Sequence, residues 1–274
     1  MEAVHPFLRW AGGKSWLIKH LEPVLKSVQI NHYHEPFLGG AAVFFSLDIK
    51  KMSYLSDINE ELIETYNMIK ECPEEVIIKF QTLKNTEKQY YKIRALTPKT
   101  PIERAARFLY LNQTSYNGLY RVNRQGQYNV PYGFRENMRY DLDRVIEASK
   151  KLRKTNISHG DFTINKYKIV QGDLVFLDPP YTVSHNNNGF IEYNQSLFTL
   201  DDQHRLSDFI NYVKKKNAYY ILTNAAHESI LDIFDKGDRV IEVSRHSLIG
   251  GKNADRKKVT EYIFTNIDGG ESID

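Results

Sequence analysis

A short apolar run, Asp173-Leu174-Val175-Phe176-Leu177, ends in Asp178-Pro179-Pro180-Tyr181, and no other stretch restricts the fold of this 274-residue chain so tightly. The run reads as a buried strand. Two consecutive prolines fix φ and remove backbone donors, so the strand must stop there, leaving the carbonyls of Asp178 and Pro179 as acceptors. Strand ends of open α/β sheets are where ligands bind. An acid, two rigid carbonyls and an aromatic ring at such an end make a holder for a planar group bearing an NH2. Taken alone, the tetrapeptide is read first as a strand stop with Tyr181 capping the core.

The pattern around it fixes the class. Over the first sixty residues a glycine turn, Trp10-Ala11-Gly12-Gly13-Lys14, is followed by an amphipathic helix from about Ser15 to Ser27 and a strand near Asn31 to Glu35. A second glycine turn, Phe37-Leu38-Gly39-Gly40, precedes a short helix and a strand through Met52 to Asp57. This is a βαβ arrangement. From about Glu60 to Leu96 the apolar spacing becomes helical, another helix runs from Pro101 to about Asn112, and a third from Leu142 to Leu152. Strand patterns return at Ile157 to Asp161, Leu174 to Leu177, Tyr219 to Thr223, Val240 to Val243 and Val259 to Phe264, with a helix at Asp202 to Lys215. The expectation is an α/β sheet domain made from residues 1–60 and 155–274, interrupted by a helical and β-hairpin domain at 61–154.

Composition excludes several classes. No apolar stretch approaches the roughly 18 residues of a membrane span, and Met1-Glu2-Ala3-Val4-His5 has no signal-peptide blocks, so a cytoplasmic protein without membrane partners is expected. Cys72 is the one cysteine, which rules out an internal disulfide, and it is read as structural. Net charge is +3, yet residues 99–154 hold twelve Lys/Arg against five Asp/Glu. One segment is therefore basic, which suits nucleic acid and equally suits a solvated surface. Asn186-Asn187-Asn188-Gly189 reads as a flexible loop.

In Glu35-Pro36-Phe37-Leu38-Gly39-Gly40 the glycines sit between a strand and a helix, where a ligand can approach the backbone. Asp57, at the end of the next strand, suits two ribose hydroxyls, although the full G-x-G-x-x-G pattern is absent and a purely structural turn accounts for the glycines as well. Gly13-Lys14-Ser15 is not a phosphate loop, because the position five before Gly13 is Leu8 rather than glycine. Lys14 can still serve a carboxylate, and Trp10 either packs on a heterocycle or lies in the core. His32 and His34 alternate on a strand, but no H-E-x-x-H, cysteine pair or EF-hand spacing accompanies them, so no metal is expected.

Between the helices, Leu119 to Pro131 reads as two short strands around a turn at Arg124-Gln125-Gly126-Gln127. Tyr116, Tyr120, Tyr128 and Tyr132 interleave with Arg121, Arg124 and Arg135. A two-stranded ribbon fits the DNA major groove, Arg, Asn and Gln read base edges, and aromatics stack or wedge into base steps. An ordinary hairpin packed by its tyrosines is the competing reading. Arg245-His246-Ser247, Gly250-Gly251-Lys252 and Arg256-Lys257-Lys258 form a second basic loop, open to phosphate or to solvent.

Five separated segments, in order, resemble the Dam-like group of DNA adenine-N6 methyltransferases. They are Phe7-Leu8-Arg9-Trp10-Ala11-Gly12-Gly13-Lys14; Glu35 to Gly40; Tyr116-Asn117-Gly118-Leu119-Tyr120-Arg121-Val122-Asn123 with Asn129-Val130-Pro131-Tyr132-Gly133; Asp178 to Tyr181, followed by Phe190, Tyr193, Phe198 and Asp202-Gln203; and Arg256 to Glu261. The resemblance spans nearly the whole chain. It implies a Rossmann-like S-adenosylmethionine-dependent methyltransferase sheet with an inserted DNA-recognition domain.

The resemblance also implies roles. S-adenosylmethionine would be held by Trp10, Ala11, Gly12, Lys14, Glu35, Phe37, Gly39, Asp57, Asp161, Phe162 and Asp178. The target adenine would be flipped from double-stranded DNA, with Asp178, Pro179, Pro180 and Tyr181 catalytic. Arg9, Tyr116, Asn117, Leu119, Arg121, Asn123, Arg124, Pro131 and Arg135 would meet DNA at a GAT-containing site, GATC foremost. A monomer is expected, with a cognate restriction endonuclease as companion in a restriction system. One departure bears on the outer base pairs: Phe134 and then Arg135 follow Gly133, where an arginine often follows the glycine directly. Two alternatives stand beside this reading: an amino-methyltransferase of the same fold acting on cytosine N4, RNA or a protein amide, and an inactive DNA-binding relative.

Overall fold

The computed structural model describes residues 4–134, 140–181, 198–246 and 258–268. Arg135, the Asn186-to-Gly189 loop, Phe190, Tyr193 and the stretch 247–257 lie outside the described residues. Seven strands, β1 (Tyr33–Glu35), β2 (Ser53–Asp57), β3 (Thr155–His159), β4 (Leu174–Leu177), β5 (Tyr219–Ala225), β6 (Arg239–His246) and β7 (Lys258–Thr265), form one sheet in the order β3-β2-β1-β4-β5-β7-β6. The pairs β1/β4, β2/β3 and β4/β5 are parallel, whereas β7 runs antiparallel between β5 and β6. This is the expected mixed α/β class. All four residues of β4 are buried, as the apolar run before Asp178 requires. Among the described residues no helix is long and apolar enough to cross a membrane.

Backbone contacts group the chain into two compact units, Met1–Ile18 with Leu38–Phe162 and Lys19–Phe37 with Thr163–Asp274. In the first, the helical stretch after Asp57 divides into α3 (Glu60–Glu71), α4 (Pro73–Gln81) and α5 (Glu87–Ala95), followed by α6 (Pro101–Thr114). The breaks have local causes. Asn59, Thr86 and Thr100 each accept a backbone N–H of the turn they start, and Pro73 and Pro101 open α4 and α6, where their missing N–H costs nothing. Helix α6 is the hub, burying every residue from Phe108 to Thr114 and packing against α3, α4 and α5. Arg104 clamps Glu64 on α3 with two hydrogen bonds of 2.7 and 2.5 Å. Helix α7 (Leu142–Leu152) packs on α3 and α4 through Val145, Ala148 and Leu152.

In the second unit, α1 (Ile18–Lys26) contributes all but its first residue, and α8 (Leu200–Lys215) starts in a reciprocal cap between Thr199 and Asp202 and lies on β5. Helix α9 (Glu228–Phe234), absent from the sequence reading, buries Ile230 and Phe234. At seven residues it is too short to display a periodic stripe. Among the described residues the remaining α-helix, α2 (Ala42–Ser46), belongs to the first unit.

The two alternating histidines are accounted for by a carboxylate. Asp173, fully buried just before β4, meets His34 Nε2 at 2.9 Å, His32 Nδ1 at 3.2 Å and the backbone N–H groups of His32 and Val170, each at 3.0 Å. Burial alone would raise its pKa; the hydrogen bonds from His34, Val170 and His32 outweigh it and hold the group below the usual aspartate range. A lowered carboxylate pKa stabilises the fold above the ordinary range, and that contribution is lost as pH falls through the lowered value. Asp173→Ala is expected to cost about 3 kcal/mol in urea unfolding at neutral pH, because it strands several buried donors. Asp173→Asn should flatten the acid limb of a stability–pH profile.

Candidate functional site

The glycine turn in the first unit is tied to the end of β2. Leu38 N–H donates to Ser56 O at 3.0 Å and Ala41 N–H to Leu38 O at 2.7 Å, with Gly39 and Ala41 both in the left-handed region at φ 45° and 54°. Asp57, at the end of β2, accepts Gly39 N–H at 3.0 Å on one oxygen and Asn59 N–H at 2.9 Å on the other. Burial pushes this carboxyl up, while the amides of Gly39, Asn59 and Ile58 and the nearby His159 pull against it; the net direction is upward. Gly160 N–H donates to Asp57 O at 3.0 Å, so Asp161 and the buried Phe162 leave β3 beside Asp57.

Trp10 covers this turn. A Cβ on Gly39 would lie 2.8 Å from the indole Nε1, and one on Gly40 would lie 2.8 Å from Trp10 Cβ. The same indole stacks on Tyr120 at 5.8 Å and 22° and on Phe108 at 6.5 Å and 20°. Gly39 and Gly40 are thus glycine because Trp10 packs on them, and Gly39 also because of its φ. Lys14 is buried, its ammonium donating to Gly12 O at 3.0 Å; Ala11 is half-buried and Gly12 exposed. Glu35 and Phe37 fall in the second unit, Glu35 buried at the end of β1 and accepting from Tyr33 Oη at 2.8 Å, Phe37 edge-on to Phe198 at 5.6 Å.

Also in the second unit, parallel pairing of Leu177 with Leu222 brings Asp178 beside Thr223. The Thr223 hydroxyl, fully buried on β5, donates to Asp178 Oδ1 at 2.7 Å. Pro179 is buried and Pro180 half-buried, and the Tyr181 hydroxyl donates to Glu261 on β7 at 2.5 Å. Burial first, then the Asp178 and Glu261 carboxylates, raise the Tyr181 phenol well above its usual range, so it stays protonated and donating. Neither Thr223 nor Glu261 carried a role in the sequence reading. The available signal was polarity inside otherwise apolar strands, Thr223-Asn224 after Tyr219 to Leu222 and Glu261 before Tyr262 to Phe264.

The hairpin of the first unit differs from two regular strands. Its pairing reduces to isolated bridges, Val122 with Tyr128 and Ser115 with Tyr132. A 3-10 turn at Tyr116–Gly118, with Asn117 at φ 54°, interrupts one arm. At the tip, the Asn123 side-chain oxygen accepts the N–H groups of Gln125 and Gln127 at 3.0 and 2.9 Å, so a side chain shapes the turn. Three of the four tyrosines follow the competing reading of a hairpin packed by its own rings. Tyr128 and Tyr132 are buried and donate to Leu119 O and Asn85, Tyr120 stacks on Trp10 and donates to Glu61, and of the four only Tyr116 is exposed.

The cations face outward. Arg121 and Arg124 are exposed, and Arg121 Nε donates to Asn129 across the hairpin at 2.8 Å. Pro131 is exposed and Leu119 and Asn123 half-buried. Arg9 is fixed against the same element: its backbone N–H and C=O pair with the Asn112 side chain at 2.9 and 2.6 Å, and a Cβ on Gly118 would come within 2.8 Å of Arg9 Cβ. Arg9 therefore packs against Gly118 of the segment that carries Tyr116, Asn117 and Arg121. Among the described residues no group of three or more His, Cys, Asp or Glu is placed to hold a metal ion.

Packing of Trp10 on the turn generates a coupled prediction. Gly39→Ala should destabilise the protein by about 2 kcal/mol, from the positive φ and the indole clash together. In the Trp10→Ala background the same change should cost less, and a double-mutant cycle by urea unfolding measures the difference.

The family described as D12 class N6 adenine-specific DNA methyltransferase matches residues 10–248. The Type II methyltransferase M.MjaIII of Methanocaldococcus jannaschii is 35% identical, the alignment covering 96% of this chain and 99% of that protein. The Type II methyltransferase M1.LlaDCHI of Lactococcus lactis subsp. cremoris is 33% identical over 96% of this chain and 95% of its own. The DNA adenine methylase of Escherichia coli K12 is 28% identical over the same shares. With its sheet, its Asp-Pro-Pro-Tyr strand end and this match over most of its length, the chain belongs to the D12 class of N6 adenine-specific DNA methyltransferases.

Proposed function

We propose that the protein transfers a methyl group from S-adenosylmethionine to the N6 amine of an adenine flipped out of duplex DNA, within a GAT-containing site of which GATC is the leading form. The observation that carries this reading is the Asp178 carboxylate, oriented by Thr223 at the mouth of β4 and followed by two prolines. An exocyclic amine is a poor nucleophile because its lone pair is delocalised into the ring. Acceptors at Asp178 and at the Pro179 carbonyl would receive hydrogen bonds from its two hydrogens, turn the nitrogen outward and localise that pair; as the N–C bond forms the S–C bond of the sulfonium breaks, the neutral thioether leaves, and one N6 proton is released. Positioning and electrostatics then lower most of the barrier. Tyr181, whose phenol burial pushes well above its usual range, serves as a stacking surface and not as a base.

The donor supplies an activated methyl on a sulfonium. The chemistry of the residues around the glycine turn suits such a molecule: a carboxylate has about four lone-pair sites, more than the backbone amides around Asp57 use, leaving acceptor capacity for a ribose diol. Lys14 answers a carboxylate, and Phe162 offers an apolar wall; Asp161 stands at the same strand end. Glu35, Phe37, Ala11 and Gly12 complete the proposed set. On the DNA side, Arg9 and Arg121 suit guanine, Tyr116 and Asn117 the disturbed base step, and Leu119, Asn123, Arg124 and Pro131 the remaining reading positions. The segment 61–154 is thus read as the target-recognition part, resting on the resemblance of its hairpin and its excess of positive charge.

Incubation with tritiated donor and defined duplexes, followed by nucleoside analysis, tests the reaction; label in any product other than N6-methyladenine sinks the proposal. Calorimetric donor binding separates an enzyme from an inactive DNA-binding relative, which should bind none. Asp178→Ala is expected to abolish methylation with an unchanged melting temperature. Arg121→Ala should weaken discrimination among single-base site variants by about 1–3 kcal/mol, read as kcat/KM ratios; an unchanged preference would make the hairpin a positioning element.

A further inference from the structure

Two polar side chains on one face of the sheet hold the two functional ends of the tetrapeptide. In the antiparallel β5/β7 pair, Thr223 lies opposite Ile263 and Ala225 opposite Glu261. Residues two apart on a strand, and residues directly opposite across a ladder, share a face. Thr223 and Glu261 therefore project on the same side, one step apart along the ladder. Thr223 holds Asp178 and Glu261 holds Tyr181. Glu261 is fully buried, and a buried carboxylate is retained only against a desolvation cost that its hydrogen bonds must offset. The small side chain of Ala225 opposite leaves room for it. A strand that merely closed the sheet would place an apolar residue here, as it does at Ile263.

Resting on the methyltransferase reading above, we propose that Glu261 is a positioning residue for the acceptor base: by accepting a hydrogen bond from the Tyr181 hydroxyl within the sheet, it sets the plane of the ring on which the flipped adenine stacks, while Thr223 sets the carboxylate that meets the amine. The carboxylate itself touches neither base nor donor. Asp178 and Tyr181 are separated by two prolines of fixed φ, so anchoring both ends leaves the intervening carbonyls little freedom. The clamp is thereby held as one rigid unit by β5 and β7.

The test compares Glu261→Ala, Glu261→Gln and Tyr181→Phe with the wild-type protein. Readouts are single-turnover methylation of a duplex site, KM for that duplex, donor affinity by calorimetry, and fluorescence of a duplex carrying 2-aminopurine at the target position. Glu261→Ala is expected to slow methyl transfer by about 100-fold, the order of loss for a misplaced reacting group. Donor affinity should be unchanged, and the fluorescence should report a flipped base that no longer stacks. Glu261→Gln keeps an acceptor of the same shape and should recover most of the rate. Tyr181→Phe and Glu261→Ala should combine less than additively, as residues acting through one bond do. A wild-type rate in folded Glu261→Ala, or additive losses in the double variant, overturns the proposal. If Glu261→Ala does not fold, Tyr181→Phe decides alone: it removes the donor of the same hydrogen bond and should slow transfer by a similar factor, and a wild-type rate there overturns the proposal. A wild-type protein that yields no N6-methyladenine refutes instead the methyltransferase reading on which this rests.

Discussion

The first unit is organised by a single ring. Trp10 lies on Gly39 and Gly40, stacks on Tyr120 from the hairpin and on Phe108 from α6, and leaves no room for a Cβ at either glycine. Each aromatic pair contributes about 1 kcal/mol beyond its buried area, so the energy is modest while the geometric constraint is severe. The turn at the proposed donor site and the hairpin at the proposed DNA site are both cut to the shape of one indole. Asp57 completes the arrangement from below, spending its carboxylate on the amides that shape the same turn.

The second unit answers a different demand. Parallel strands buried on both faces are uniformly apolar, and β4 obeys this without exception. Such strands can present function only beyond their ends, which is where Asp178 begins. The antiparallel β7 inserts between β5 and β6 and brings Glu261 into the sheet interior, while β5 contributes Thr223 and Asn224. These buried polar groups have partners: Asp178, Tyr181 and, for Asn224, the buried Gln203 on α8. The core beside the tetrapeptide is thus a small polar network embedded in apolar strands.

Legibility from sequence tracked how local the governing physics is. Strand β4 and helix α7 fall on the expected residues, because a proline stop and a strong amphipathic stripe are properties of a few neighbours. Helix α9 escaped because seven residues carry no period, and one helical tract proved to be three helices because caps at Asn59 and Thr86 and the proline at Pro73 outweigh a continuous apolar pattern. Tyrosines were ambiguous by nature. An apolar ring with a polar tip suits either a DNA surface or a core, and only tertiary packing sends Tyr120, Tyr128 and Tyr132 inward and leaves Tyr116 outside. In the same way the Asp-Pro-Pro-Tyr segment stands out in sequence as a candidate site, whereas its supports Thr223 and Glu261 are about 45 and 80 residues away in sequence and are joined to it only by strand order.

The Asn123 turn has an evolutionary implication. Because a side-chain oxygen gathers the amides of Gln125 and Gln127, the loop conformation depends on the residue at its base and on Gly126 with its φ of 75°, not on the identities of Arg124 and Gln125 at its tip. Shape is set by Asn123 and Gly126, and the two tip side chains take no part in it. A lineage can therefore exchange the two exposed tip residues, and with them any part they take in the proposed DNA contact, without rebuilding the scaffold that offers them.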